Sequence, residues 1–288
     1  MGPVLTRFFT YFSFVRFSHS VFALPFALAG ALLATRQATP TWRTFVWILV
    51  AMVAARSAAM GFNRLVDARL DALNPRTSNR ELPRGAMTRA EAAAFVAVAS
   101  VVFVLAAWQL NTLCLMLSPV ALGIVFWYSL AKRYTSYTQM FLGLAMAVAP
   151  VGGWLAVGGR GGWEPWILAV AIGTWVGGFD VLYACQDLDV DRREGLRSIP
   201  VRFGVPGSLL ISRLMHVVTI VALLALPLVT PLPRSYVAGV AAVAGLLAYE
   251  QSLVSADDLS QVKRAFDLNG YVGILYFIVL AVSVYGGR

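Results

Sequence analysis

Charge is scarce in this sequence. Acidic and basic residues together make up 13% of its 288 positions, about half of the roughly 25% usual in soluble domains. Cysteine is nearly absent: there are two, Cys114 and Cys185, both in or beside apolar runs, and such a pair does not make a disulfide framework. Histidine is equally rare, His19 and His216, which argues against a Cys/His zinc site. The 14 acids are outnumbered by 23 basic residues, a net charge of +9. No basic soluble domain carries that excess, so no nucleic-acid partner is expected and the surplus is assigned to loops facing the cytoplasm. The N-terminus lacks a short apolar core followed by a small-residue cleavage site, so no cleavable signal peptide is expected.

Apolar residues are abundant, at 59% with a mean hydropathy of +0.73. That is the composition of a polytopic membrane protein. Runs of about 17–25 apolar residues mark membrane-crossing helices. Nine are read, near 17–35, 44–64, 91–109, 112–131, 137–157, 165–186, 206–229, 235–253 and 268–286. Asn111 separates the third and fourth, which predicts a tight hairpin. The first is short and contains Pro25, a residue tolerated where neighbours satisfy the freed backbone. Gly173 and Gly177 have the small-residue spacing of close helix packing. Most of Trp47, Trp127, Trp154, Trp163, Trp166 and Trp175 are expected in the interfacial belt.

One set of connections carries Arg7, Arg16, the arginines of 64–89, Lys132, Arg133, the arginines of 192–213, Lys263 and Arg264. The other carries Arg36, Arg43, Arg160, Arg234 and Arg288. This asymmetry predicts a cytoplasmic N-terminus and an external C-terminus.

Two stretches on the predicted cytoplasmic side carry the chemistry. In GFNRLVDARLDALNPRTSNRELPRG, at 61–85, Asn63, Asp67 and Asp71 fall at i, i+4 and i+8, so a helix stacks them on one face. In DVLYACQDLDVDRREGLRSIPVRFG, at 180–204, Asp187 and Asp191 repeat the spacing, with Asp180 seven residues earlier on the same face. Each pair is followed by a basic loop with a hydroxyl residue, a proline and a closing glycine: Arg76, Thr77, Arg80, Pro83 and Gly85, then Arg197, Ser198, Pro200, Arg202 and Gly204. Mg²⁺ takes oxygen ligands and is commonly held by one or two carboxylates plus substrate phosphates. Two carboxylate pairs ringed by arginines would clamp a diphosphate through such ions, the guanidinium forks taking the remaining oxygens. One such pair alone would be an ordinary solvated helix end; two with matching loops are harder to assign to chance.

Arg56 precedes Asn63 by seven residues and shares its face. A charge so deep in a span faces the bundle interior and has a partner, for which Asp180 is the candidate; a structural pair and a substrate role are equally open. Lys132 and Arg133 follow Tyr128 at the end of the fourth run, and Arg16, His19 and Ser20 open the first.

The two stretches resemble the signature motifs of the UbiA superfamily of membrane prenyltransferases. The motif NDxxDxxxD stands here as Asn63-Arg64-Leu65-Val66-Asp67-Ala68-Arg69-Leu70-Asp71, with Arg64 at the usual second aspartate. The motif YAxQDxxxDxxxGxxS stands as Tyr183, Ala184, Gln186, Asp187, Asp191, Gly195 and Ser198. The run at 132–135 with Gln139 and Gly143 also fits. YACQD and EGLRSIPVRFG resemble the 4-hydroxybenzoate polyprenyltransferase branch, while 16–34 and 63–77 look like its menaquinone-pathway members of the futalosine route.

The resemblance spans nearly the whole chain. It implies an all-α fold of nine transmembrane helices around a central cavity with a cytoplasmic cap, forming one domain over 1–288. It implies Mg²⁺ on Asp67, Asp71, Asp187 and Asp191, assisted by Asn63. It implies transfer of a polyprenyl group from its diphosphate to a small aromatic acid, 4-hydroxybenzoate or a dihydroxynaphthoate, in ubiquinone or menaquinone biosynthesis. Substrate contacts are expected from Asn63, Arg16, Arg56, Arg64, Arg80, Tyr128, Lys132, Arg133, Asp180, Tyr183, Arg197 and Ser198. The active site would face the cytoplasm from the inner membrane. Two other readings are open: a transporter or channel gated by Arg56 and Asp180, which predicts inverted repeats, and a CDP-alcohol phosphotransferase, whose signature needs a glycine that Asp67-Ala68-Arg69 lacks.

Overall fold

The structure, a computed structural model, describes residues 10–11, 13–15 and 20–286. Arg16 and His19 lie outside the described residues. Every regular element among the described residues is helical. The long helices are α1 (Ser20–Ala34), α2 (Trp42–Leu73), α3 (Arg89–Leu110), α4 (Thr112–Ala131), α5 (Thr138–Val157) and α6 (Glu164–Ala184). After a single 3₁₀ turn (Cys185–Asp187) come the short α7 (Leu188–Arg193), then α8 (Ile199–Ala225), α9 (Arg234–Ser252) and α10 (Val262–Tyr285). Among the described residues, nine long helices therefore stand where the sequence has nine apolar runs. Seven of the helical stretches are long and apolar enough to cross a membrane. Large apolar side chains stand outward along them, among them Val101, Met116, Val217, Val221 and Val282. Contiguous apolar surface of this kind belongs in hydrocarbon, and the chain is a multi-pass membrane protein.

Three helices extend past their apolar runs. Helix α2 continues nine residues beyond 64 to Leu73, α8 begins at Ile199 and α10 at Val262. Hydropathy stops where polar residues begin, but a helix satisfies its own backbone and does not stop there. The tryptophans divide. Trp163 and Trp166 are exposed, whereas Trp154 and Trp175 are 2% and 1% exposed. These two belong to the core and not to the interfacial belt: the Trp175 indole Nε1 donates to Asn269 Oδ1 at 2.6 Å, and its ring meets Phe26 edge-on.

The chain divides into two compact units, one holding Trp42–Leu130 with the described residues up to Leu24, the other Pro25–Thr41 with Ala131–Arg288. In the first, α2 lies along α3. Gly61 admits Val96 and the Phe14 and Phe95 rings where a side chain would stand, and Phe62 stacks obliquely on Phe126 of α4. A capping box starts α3: the Thr88 hydroxyl accepts from Glu91 N at 3.2 Å, and Thr88 N donates to Glu91 Oε2 at 2.8 Å. The hairpin to α4 is as tight as its sequence predicts, with Asn111 Oδ1 accepting from Cys114 N at 2.9 Å. In the second unit, α6 packs against both α5 and α8. Gly143 meets the Gly173 backbone, and Gly177 meets Gln139 O and Met215. The small-residue spacing does serve close packing.

Candidate active site

The first motif sits on the last turns of α2, and the loop 74–88 folds back beside it. Asn63 Nδ2 donates to Asp67 Oδ2 at 3.3 Å, the i, i+4 contact of one helix face. Asp71, four residues on, accepts from Arg80 Nη1 at 2.7 Å on Oδ1 and 2.8 Å on Oδ2. Asp67 and Asp71 are only 3% and 6% exposed. The loop is locally folded. Thr77 Oγ1 donates to Asp71 O at 3.0 Å, occupying one of the carbonyls left open at the helix end. Asn74 Oδ1 accepts from Arg76 N, and Ala86 N and Met87 N both donate to Glu81 O. Gly85 closes the loop at φ 72°, a left-handed conformation that needs glycine.

Arg64, expected among the substrate contacts, stands in a buried ion pair. Its Nη1 donates to Glu81 Oε2 at 2.6 Å, with the two side chains 4% and 5% exposed. Its guanidinium lies 5.8 Å from the Phe14 ring centroid, and Ser13 Oγ donates to Glu81 Oε1 at 2.6 Å. It is a buried pair tying helix to loop. Arg56, two turns before Asn63, has its Nε buried without a hydrogen-bond partner. Tyr128 of α4 is an electrostatic neighbour of Arg56 in this unit; Asp180, the expected partner, belongs to the second unit.

The second motif is built differently. Helix α6 carries Asp180 and Tyr183 and ends at Ala184. The 3₁₀ turn carries Asp187, and α7 carries Asp191. Sequence spacing placed Asp180, Asp187 and Asp191 on one continuous face. Three residues at 3.0 per turn instead of 3.6 rotate the next helix by roughly 60°, so the α-helix is interrupted while Asp187 stays within about 40° of the Asp180 face. Asp187 and Asp191 are half-buried. Ser198, read as a substrate contact, is the N-cap of α8, its hydroxyl accepting from Val201 N at 3.4 Å. Gly204 breaks α8 at φ 68° just before Pro206, another conformation reserved for glycine.

The structure brings Lys132 and Arg133 to this motif by threading two loops together. Arg197 N donates to Lys132 O at 2.8 Å, and Arg197 Nη1 to Tyr134 O at 2.7 Å. Thr138 Oγ1 donates to Arg197 O at 3.3 Å, and Ile199 N to Gln139 Oε1 at 3.3 Å. Of the predicted residues, Asn63, Arg64, Asp67, Asp71 and Arg80 thus assemble in the first unit. Tyr183, Asp187, Asp191, Arg197, Ser198, Lys132 and Arg133 gather along the second. Sequence reasoning missed Glu81; its signal was a lone acid in an arginine-rich loop.

Among the described residues, no three His, Cys, Asp or Glu side chains form a metal-holding group by themselves. Each motif instead offers a pair of carboxylates, with the Asn63 amide beside the first. This all-oxygen donor set, short of a full cage, suits Mg²⁺, which keeps waters and shares its coordination with substrate phosphates.

The profile of the UbiA prenyltransferase family matches residues 23–279. The chain belongs to that family. The 4-hydroxybenzoate octaprenyltransferase of Aliivibrio fischeri (strain MJ11) is 32% identical over 254 residues, 88% of each chain. The apo structure of a UbiA homolog from Aeropyrum pernix K1 matches with a TM-score of 0.84 at 33% identity, covering 92% of this chain and 98% of that one. A UbiA homolog from Archaeoglobus fulgidus, solved bound to DMAPP and Mg²⁺, matches with a TM-score of 0.75 over 95% of this chain and 99% of that one. At 18% identity that likeness is one of fold. The UbiA-type chain is an enzyme, a prenyltransferase, and the transporter and CDP-alcohol phosphotransferase readings fall away.

Proposed function

We propose that this UbiA-family enzyme transfers a polyprenyl group from an allylic diphosphate to a small aromatic acid, 4-hydroxybenzoate or a dihydroxynaphthoate, in quinone biosynthesis, and that it requires Mg²⁺. The observation that carries the reading is the paired build of the site: two carboxylate pairs, each set against a basic loop, in a chain 32% identical to a protein named for that reaction. The whole chain acts as one catalytic domain of the cytoplasmic membrane, with its N-terminus and active site toward the cytoplasm. The excess of arginine and lysine on the motif-bearing loops supports that orientation.

Asp67, Asp71 and Asn63 would hold Mg²⁺ at the first motif, and Asp187 and Asp191 at the second. When bound, Mg²⁺ supplies Lewis-acid neutralisation of the departing diphosphate. Arg80, Arg197 and Lys132 take the remaining phosphate oxygens as charge-assisted donors. Arg80 keeps a buried, unpartnered Nε–H beside its contact with Asp71, so its fork has a donor to give. The leaving group departs with the bonding pair, the allylic carbon is attacked by an electron-rich ring carbon of the acceptor, and that ring carbon then gives up its proton to a basic oxygen of the released diphosphate, which restores the aromatic ring. Asp187 or Asp191 accepts the hydrogen bond of the acceptor's phenolic hydroxyl and raises its electron donation. The acceptor's carboxylate needs a fixed cation, because an unpaired buried charge is costly. Arg133 is the first choice and Arg16 the second. Arg56, Tyr128, Asp180 and Tyr183 line the substrate path.

The test is direct. Purified protein is incubated with Mg²⁺, geranyl diphosphate and a panel of aromatic acids, and products are read by mass. A prenylated hydroxybenzoate or dihydroxynaphthoate is the expected product. Turnover only with non-aromatic acceptors would overturn the acceptor assignment.

A further inference from the structure

Arg64 and Asp71 lie seven residues apart on α2, two turns along one buried stripe, and carry opposite charges. The loop answers them with two consecutive residues of the complementary signs. Glu81 takes Arg64 at 2.6 Å, and Arg80 takes Asp71 at 2.7 Å and 2.8 Å. Adjacent loop residues thus grip the helix at two points about 10 Å apart along its axis, at 1.5 Å per residue. Around the Glu81 end the clasp is dry. Met87 is buried with Phe14, Val15 and Ala92, and Leu82 and Leu65 pack against the same cluster. Ser13 Oγ fills the second Glu81 oxygen at 2.6 Å. The Glu81 carbonyl also receives Ala86 N at 2.9 Å and Met87 N at 3.3 Å, so the residue that holds Arg64 is the one around which the loop turns.

We propose that Glu81 is a positioning residue: by anchoring the loop to Arg64 it sets Arg80 against Asp71 and so holds that carboxylate in place for the metal and the diphosphate. Arg64 serves the site through the loop and not through the substrate. The metal half of this proposal rests on the function proposed above; the docking of the loop by Glu81 does not.

Two measurements on the full-length protein in nanodiscs test it. The first is hydrogen exchange at the loop amides, above all Ala86 and Met87. Glu81→Gln and Arg64→Met each speed exchange there by about tenfold, since removing one member of a buried pair releases what it holds. The double variant Arg64→Met with Glu81→Leu returns the loop to within about twofold of the unmodified protein, because an apolar pair of similar size can dock without charge. The second is the Mg²⁺ concentration giving half-maximal transfer. It rises about tenfold in Glu81→Gln, at a saturating-Mg²⁺ rate within about twofold of the original, as loss of positioning predicts.

Unchanged loop exchange in Glu81→Gln overturns the clasp. A loosened loop with an unchanged Mg²⁺ requirement overturns the positioning role. A double variant no better than the singles shows that Arg64 acts through its charge, which also overturns it. Should Glu81→Gln fail to fold, Ser13→Ala, which removes the second hydrogen bond on Glu81, is expected to shift both readouts in the same direction, and a null result there counts against the clasp. If no condition yields transfer, the proposed function fails while the exchange experiment still decides the clasp.

Discussion

The two aspartate motifs carry the same residue types at the same spacing, yet their supports differ. Asp67 and Asp71 stand on one unbroken helix and are buried, and Asp71 is gripped by a side chain from a loop that is itself ion-paired to the helix. Asp187 and Asp191 stand on a 3₁₀ turn and a six-residue helix and are half-buried. Their surroundings are laced by hydrogen bonds to backbone atoms, with Arg197 reaching Lys132 O and Tyr134 O. The loop beside the first motif is fastened to its helix by charge pairs, and the loops around the second are joined through main-chain oxygens. Charge pairs set carboxylate positions strongly but fail badly when one partner is lost. Main-chain contacts are individually modest, at about 1 kcal/mol net, and fail gradually.

The largest expected effect erases the comparison, because the proposed function draws on both motifs. Asp67→Ala, Asp71→Ala, Asp187→Ala and Asp191→Ala each lower transfer by roughly 10²–10³-fold or more, the scale of losing one group that stabilises developing charge. The protein still inserts. Initial rates at saturating substrates, with membrane yield as the control, check this; near-normal rates in either pair would leave that motif outside the chemistry.

The next effect sharpens the contrast in support. Arg64→Ala strands Glu81 in a buried site and lowers stability by about 3–5 kcal/mol. Arg197→Ala removes one exposed side-chain contact, to Tyr134 O, and lowers it by about 1 kcal/mol. Thermal unfolding in detergent, monitored by circular dichroism, ranks the two. Equal shifts would show that the two supports are not different in kind.

A kinetic split comes third. Arg133→Ala raises the KM for the aromatic acid severalfold and leaves that for the prenyl diphosphate nearly unchanged, because a contact common to ground and transition states acts on KM. If the diphosphate KM rises instead, Arg133 belongs with the phosphate ligands and the acceptor carboxylate is held elsewhere.

The smallest effect is local. Ser198→Ala removes the α8 N-cap and costs about 1 kcal/mol, visible as faster amide exchange in the first turn of α8 with little change in rate.

Much of this was legible in the residues, for reasons that also mark the limits. Among the described residues the nine apolar runs became nine long helices because a helix satisfies its own backbone groups inside hydrocarbon. The Asn63, Asp67, Asp71 face was legible because α2 is unbroken and its period holds. The same periodicity does not show the break at 185–187, where no proline or glycine between Asp180 and Asp191 signals the 3₁₀ turn. Hydropathy could not separate Trp175, hydrogen-bonded to Asn269 in the core, from Trp163 at the surface, since both lie in apolar sequence. The Arg64–Glu81 pair joins residues 17 apart through a loop, and spacing rules reach only three or four residues along a helix.

The central claim is that the two carboxylate pairs act through a divalent cation. Transfer from geranyl diphosphate to 4-hydroxybenzoate, measured while free Mg²⁺ is stepped down with EDTA and then restored, tests it most directly. The account predicts that product formation falls to background on chelation and returns when Mg²⁺ is added back, and that neither the Asp67→Ala/Asp71→Ala nor the Asp187→Ala/Asp191→Ala double variant regains it at any Mg²⁺ concentration. Sustained transfer in excess EDTA, or full recovery of either double variant by added Mg²⁺, would contradict it.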